Sequence, residues 1–347
     1  MISINDIHPA RKPNFYLHPT KNPTILQGGF SMKLVVLDGN ALNPGDLSWD
    51  ALSAFGDLTV YDRTANLEEA VTRIGDAELL YINKFPVTEE LLSRCPSIKA
   101  VFVLATGYNV VDCAACRARN IPVCNVPTYG TAAVAQFTFA LILALCHRVE
   151  HHSDSVHAGD WTRCPDFCYW LTSQTELAGK TLGILGFGRI GSAAAKIAQA
   201  FGMTVIATSR SPKEEAGVEF VTLDQLLQRS DVISLHCPLF PETEKIINAE
   251  TIAKMRPGTL LINTSRGGLI DEQAVADALA SGQLGGAALD VVSTEPIASS
   301  NPLLSAPNCI LTPHMAWAPT ASRQRLMNTV VSNTAAFLEG KPQNVVN

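Results

Sequence analysis

From Met32 onward the chain alternates short aliphatic and β-branched runs with stretches of helical spacing. The runs KLVVLDG, LTVYD, AELLYIN and KAVFVLA read as strands, with helices expected near Leu67–Gly75 and Thr88–Arg94 between them. Apolar runs without polar alternation imply strands covered on both faces, hence a parallel sheet. This series continues through a helix near Val111–Arg119 and the strand IPVCNV, then stops at PTYGT, where Pro127 and Gly130 punctuate the pattern. A long apolar helix is expected from about Ala132 to Arg148.

A second series begins at Lys180. TLGILG, TVIAT, DVISLHC, TLLINTS, GAALDV and CILTP read as strands, with helices between successive strands through GAALDV. Pro319 to Gly340, with Leu326, Val330, Val331 and Phe337 at mostly helical spacing, reads as a last helix. Two βα series predict an α/β protein of two doubly wound parallel-sheet domains with a cleft between them. The 347 residues suit two domains, at roughly 100–200 residues each.

Composition narrows the partners. With 47% hydrophobic and 17% charged residues the chain reads as globular, and a net charge of -6 without a basic stripe argues against nucleic acid. The longest apolar run, Phe137 to Cys146, falls far short of the ~20 residues that cross a bilayer, so no membrane partner is expected. Nine cysteines, an odd number and several inside apolar runs, read as reduced thiols in a cytoplasm. Cys113 with Cys116, and Cys164 with Cys168, lack the turn-rich context of a zinc knuckle, and no metal is expected. Residues 1–31 show no secretory pattern and are expected to be a flexible extension or a start-site artefact outside the fold.

The chemistry sits in the second series. Gly186, Gly188 and Gly191 of GFGRIG follow a strand and open the helix Arg189–Phe201. Such glycines permit a tight turn, close approach of a pyrophosphate and close helix packing, while the helix N-terminus offers free N–H groups to the anion. About 20 residues further on, where an acid would bind the ribose of NAD, stands Ser209, followed by Arg210 and Ser211. A missing acid removes repulsion of a 2′-phosphate and the Arg supplies a cation for it, which favours NADP(H) over NAD(H).

Arg266, Glu295 and His314 each fall at the end of a predicted strand, the edge at which ligands bind in such sheets. Singly each has a bland explanation: a surface Arg, a Glu in a turn before Pro296, a His beside Pro313. Together they supply a cation for a carboxylate and carbonyl oxygen, a proton donor, and a partner that tunes that donor. Lys84, after AELLYIN, offers a second positive charge.

With GFGRIG, INTSRGGLIDE, ALDVVSTEP and TPHMAW in order and spacing, the chain from Met32 resembles the D-isomer-specific 2-hydroxyacid dehydrogenases. FCYWLT and HMAWAP make it most similar to the glycerate dehydrogenase or hydroxypyruvate reductase branch. The resemblance implies a Rossmann dinucleotide-binding domain at 132–314 and a flavodoxin-like substrate domain at 32–131 plus 315–347, with the active site in the cleft. It implies that Arg266 anchors and polarises a small 2-keto acid, that His314 donates the proton, and that Glu295 pairs with His314. Backbone N–H groups of Thr106 and Gly107, in ATGYNVVD, would receive the substrate carboxylate. The cofactor is expected to meet Gly186, Gly188, Arg189, Ile190, Gly191, Ser209, Arg210, Ser211, Cys237, Pro238, Thr243, Thr264, Ser265 and Asp290. The resemblance also implies a homodimer, with the long helix from Ala132 at its interface. Hydroxypyruvate or glyoxylate is the expected substrate; a dinucleotide-sensing corepressor and a phosphite dehydrogenase are the alternatives, since both kinds share the fold and keep an Arg, Glu and His set.

Overall fold

The computed structural model describes residues 32–211 and 214–347; the extension expected at 1–31 lies outside them. The first series gives β1 (Lys33–Val36), α1 (Asp50–Ser53), β2 (Asp57–Val60), α2 (Leu67–Ile74), β3 (Leu79–Ile82), α3 (Glu89–Arg94), β4 (Ala100–Val103), α4 (Cys113–Ala118) and β5 (Val123–Cys124). Its five strands order as β2-β1-β3-β4-β5, all parallel. Successive strand residues point to opposite faces. Val35 and Leu37 therefore enter a core with Ala70, Ile74, Leu91, Leu92 and Cys116 from α2, α3 and α4. Leu34 and Val36 enter another, opposite.

The linker region carries α5 (Thr131–His147), α6 (Val149–His157) and α7 (Asp160–Arg163). Then follow β6 (Thr181–Leu185), α8 (Arg189–Ala200), β7 (Thr204–Thr208), β8 (Val218–Phe220), α9 (Leu223–Arg229), β9 (Val232–Leu235), α10 (Ala249–Ala253), β10 (Thr259–Asn263), α11 (Glu272–Ser281), β11 (Leu284–Leu289) and β12 (Cys309–Leu311). These seven strands order as β12-β11-β10-β9-β6-β7-β8, again all parallel. Phe139, Ile142 and Leu145 of α5 and Ala194 and Ala198 of α8 cover one face; Leu226, Leu227, Ile252, Val275 and Leu279 cover the other.

The last helix, α12 (Thr320–Leu338), returns to the first sheet, where Leu326, Met327 and Val330 pack with Leu34, Tyr81 and Phe102. The chain end follows it: Cys124 bridges Val345 antiparallel, and Val346 N–H donates to Val123 O at 2.9 Å.

Three local readings change. The helix expected from Val111 begins at Cys113, because Val111 pairs with Val87 and Asp112 caps the helix by accepting from Ala115 N–H at 2.9 Å. Between β7 and α9 the chain adds β8, a three-residue edge strand with the charged Glu219 at its centre, too short and too polar to show as an apolar run. Helices α6 and α7 likewise lacked a signal, since α6, VEHHSDSVH, buries only Ser155. Cys113 and Cys116 share α4, and no group of three or more metal-ligating side chains occurs among the described residues. None of the described helices is by itself long and apolar enough to cross a membrane.

Candidate active site

The glycine loop is built by crowding on one side and open space on the other. Gly186 ends β6 at φ +98°, and a Cβ there would lie 2.5 Å from Cys237 N and 2.6 Å from the His236 carbonyl carbon. A Cβ at Gly191 would meet Gly186 O at 2.5 Å, so α8 approaches β6 as closely as it does only without side chains. Gly188 has nothing within 4 Å of that position. It is the extended N-cap of the twelve-residue α8 and offers no capping side chain, which leaves the first N–H groups of the helix for an anion. These features fit a dinucleotide pyrophosphate. Ile190 is half-buried behind the loop; Arg189 extends away from it, its Nη2 donating to Pro127 O at 3.0 Å.

The neighbouring strand ends flank the loop. Ser209, Arg210 and Ser211 follow β7, and the Arg210 guanidinium lies over the Phe240 ring, 5.1 Å from its centroid. Phe240 belongs to a turn that Thr243 organises, its hydroxyl accepting from Phe240 N–H at 2.8 Å and donating to Pro238 O at 2.8 Å. Cys237 is buried beneath, where desolvation pushes its thiol up to about 11. Thr264 and Ser265 turn their side chains inward: Thr264 Oγ1 meets Thr138 Oγ1 of α5 at 3.1 Å, and Ser265 Oγ donates to Leu235 O at 2.8 Å.

Asp290 has a role the sequence did not suggest. At 1% exposed, its carboxylate accepts from Thr312 Oγ1 at 2.6 Å, Met315 N–H at 2.9 Å and Ala316 N–H at 2.8 Å. Its carbonyl accepts from His314 N–H at 2.8 Å. The turn that holds His314 at φ +53° is therefore wrapped around Asp290.

His314 Nδ1 donates to Glu295 Oε2 at 2.7 Å, leaving Nε2 with no partner among the described residues. Burial opposes ionisation of Glu295, but the His314 hydrogen bond and charge, the Val292 N–H and the Lys84 charge together hold its carboxyl below the usual value. Arg266 follows β10, and its Nη1 donates to Ser265 O at 2.7 Å. A Cβ on the next residue, Gly267, would lie 1.9 Å from the Val292 carbonyl carbon, so the Arg266 and Glu295 loops pack backbone to backbone. Glu272, at the start of α11, fixes the Glu295 loop by accepting from Ser293 N–H at 2.7 Å, Ser293 Oγ at 2.8 Å and Asn301 Nδ2 at 2.9 Å. Glu272 was not foreseen; the spacing to Ser293 carries no sequence signal.

The first sheet supplies the facing wall. Thr106 Oγ1 donates to Val126 O at 2.6 Å, so its side chain turns away, and the N–H groups of Thr106 and Gly107 have no acceptor among the described residues. A Cβ at Gly107 would lie 2.9 Å from Arg266 Nη2. The cation from one sheet thus rests against the glycine from the other. Tyr129 and Trp317 stand edge to face nearby in sequence to the linker and the His314 turn, with centroids 6.3 Å apart.

The model of the D-isomer specific 2-hydroxyacid dehydrogenase NAD binding domain matches residues 139–316. Over 321 residues the chain is 56% identical to a hydroxypyruvate reductase of Blautia hydrogenotrophica, covering 91% of this chain and 100% of the relative. A glycerate dehydrogenase of Methylorubrum extorquens is 43% identical over 288 residues, 82% of this chain and 90% of the relative. Among solved structures, an acyclic imino acid reductase in complex with NADPH and D-Arg superposes with a TM-score of 0.80 at 31% identity, over 91% of this chain and all of that one.

Proposed function

The chain belongs to the D-isomer-specific 2-hydroxyacid dehydrogenase family, and from that premise we propose that it reduces hydroxypyruvate to D-glycerate, and glyoxylate to glycolate, with a reduced nicotinamide cofactor. The observation that carries the reading is the 2.7 Å Glu295–His314 pair beside an Arg266 that rests against Gly107.

The bound nicotinamide supplies the hydride. On the protein side, the free N–H groups of Thr106 and Gly107 and the Arg266 guanidinium receive the substrate carboxylate, and Arg266 polarises the ketone oxygen. Protonated His314 gives its Nε2 proton to the oxygen as the carbonyl is reduced. Glu295 holds the ring in place through Nδ1, which leaves Nε2 for the transfer. Asp290 and Glu272 keep the two loops that carry this pair in place.

We assign 132–314 to cofactor binding and 32–131 with 315–347 to the substrate, since α12 packs on the first sheet. The described loops support a dinucleotide seat on Gly186, Gly188 and Gly191, with the adenine end at Arg210 and Phe240. Ser209, Arg210 and Ser211, with no acid among them, support NADP(H) as the preferred form. The apolar groove between α5 and α8, lined by Phe139, Leu143, Ile197 and Phe201, supports a homodimer, and nine free cysteines support a cytoplasmic setting.

Steady-state kinetics on hydroxypyruvate, glyoxylate, pyruvate and phenylpyruvate, each with NADPH and NADH, test this reading. Hydroxypyruvate with NADPH is expected to give the highest kcat/KM, and Arg210→Ala to narrow the cofactor ratio by roughly tenfold, the worth of one charge-assisted contact. Reduced cofactor bound without turnover of any 2-keto acid would overturn the proposal.

A further inference from the structure

Lys84 lies in the loop after β3, and that loop is fastened on both sides. Asp38, at the end of β1, accepts from Asn83 N–H at 2.7 Å, Lys84 N–H at 2.6 Å and Phe85 N–H at 2.8 Å. Asn83 Nδ2 donates to Leu104 O at 3.1 Å, and Val87 N–H donates to Val110 O at 2.8 Å. The β3 loop is thereby stitched to the β4 loop that brings Gly107 onto Arg266. One carboxylate thus spends both oxygens on backbone groups to fix where Lys84 stands, an arrangement a merely solvated lysine does not require.

The Lys84 ammonium has no hydrogen bond or ion pair among the described residues, although eleven other Lys and Arg residues do pair with acids. The acid nearest the reacting groups, Glu295, is committed to His314. Surrounding protein, and then the Arg266 charge, lower the Lys84 pKa, against the opposing pull of Glu295 and Asp38. Two cations within reach of each other and no acid free to separate them describe a seat that an anionic ligand completes.

Resting on the functional reading above, we propose that Lys84 is a substrate-binding residue that addresses the C3 end of the 2-keto acid. On that reading Gly107 and Arg266 take the carboxylate, and Lys84 comes from the loop bonded to the one that carries Gly107. A 3-hydroxyl placed there accepts from the ammonium, so Lys84 separates hydroxypyruvate from glyoxylate, which has no C3. Its charge also favours any anionic substrate, by a smaller factor.

Lys84→Met keeps the length of the side chain and removes the charge and donors. Full-length enzyme carrying it is expected to lose roughly 10- to 100-fold in kcat/KM on hydroxypyruvate, mainly through KM, the range of a hydrogen bond to a charged group. On glyoxylate the loss is expected near 3-fold, with the pH profile of kcat retained, and Lys84→Arg is expected to recover part of the hydroxypyruvate rate. Equal losses on the two acids, or no loss on either, would overturn the proposal. A wild-type enzyme inert toward both acids would be a different result, the failure of the functional reading itself.

Discussion

Two histidines stand close to the cofactor loops in opposite surroundings. His314 has its side chain 28% exposed and pairs with Glu295. His236 meets only Ser234 Oγ, at 2.9 Å through Nε2, while its Nδ1 is enclosed without a partner. Burial pushes its pKa down to about 4, so the ring is neutral near pH 7. In the unfolded chain the same ring takes a proton near pH 6.5. Between those values the unfolded state binds more protons, and stability therefore falls as the pH drops from about 6.5 to about 4. The full difference is worth about 3 kcal/mol. Urea midpoints measured across this window are expected to fall less steeply for His236→Gln than for the wild type; parallel slopes would show that the ring titrates freely in the folded protein. Glu295 acts in the same direction: its lowered pKa contributes stability above the unfolded value, lost as pH falls through the folded one.

At the scale of elements, Arg266, Glu295 and His314 are held by loops that brace one another. Gly267 lets the β10 loop press on Val292, and Glu272 of α11 ties Ser293 and Asn301, at either side of Glu295 in sequence, to the same helix. Glu272→Ala is expected to lower kcat by roughly tenfold through misplacement of Glu295, with cofactor affinity within about twofold and stability reduced by about 2 kcal/mol. Glu272→Gln, which keeps one acceptor oxygen, is expected to restore part of kcat; a loss of stability with kcat intact in both variants would reduce Glu272 to a structural tie. The strands that carry these loops were legible because each is an apolar run between turn signals. The braces were not: Glu272 and Ser293, or Asp38 and Lys84, meet through tertiary folding, and an acid beside a helix start reads equally well as an ordinary cap. Strand β8 escaped for a related reason, since an edge strand with Glu219 at its centre has no core face to advertise.

Across the whole molecule, contacts far apart in sequence set the cleft. Arg189 reaches the linker at Pro127, Arg323 of α12 makes two bonds to Asp46 at 2.7 and 2.6 Å, and Arg266 lies on Gly107. The two parallel sheets and the last helix follow from strand runs, glycines and helical spacing, as does the position of Arg266, Glu295 and His314 at strand ends, while the helix's return to the first sheet was implied by the family resemblance. The pairing of His314 with Glu295 came from the family resemblance and not from spacing, and that Asp290 serves the His314 turn with its side chain required coordinates, because hydrogen-bond partners across loops leave no periodic trace. In the proposed reaction, Nε2 of His314 supplies the proton that accompanies hydride transfer. The measurement that tests it most directly is kcat for hydroxypyruvate reduction by His314→Ala alongside the dissociation constant for the reduced cofactor. A fall in kcat of roughly 100-fold or more is expected, with cofactor affinity within about threefold, as for loss of a general acid. Turnover near the wild-type rate would contradict it.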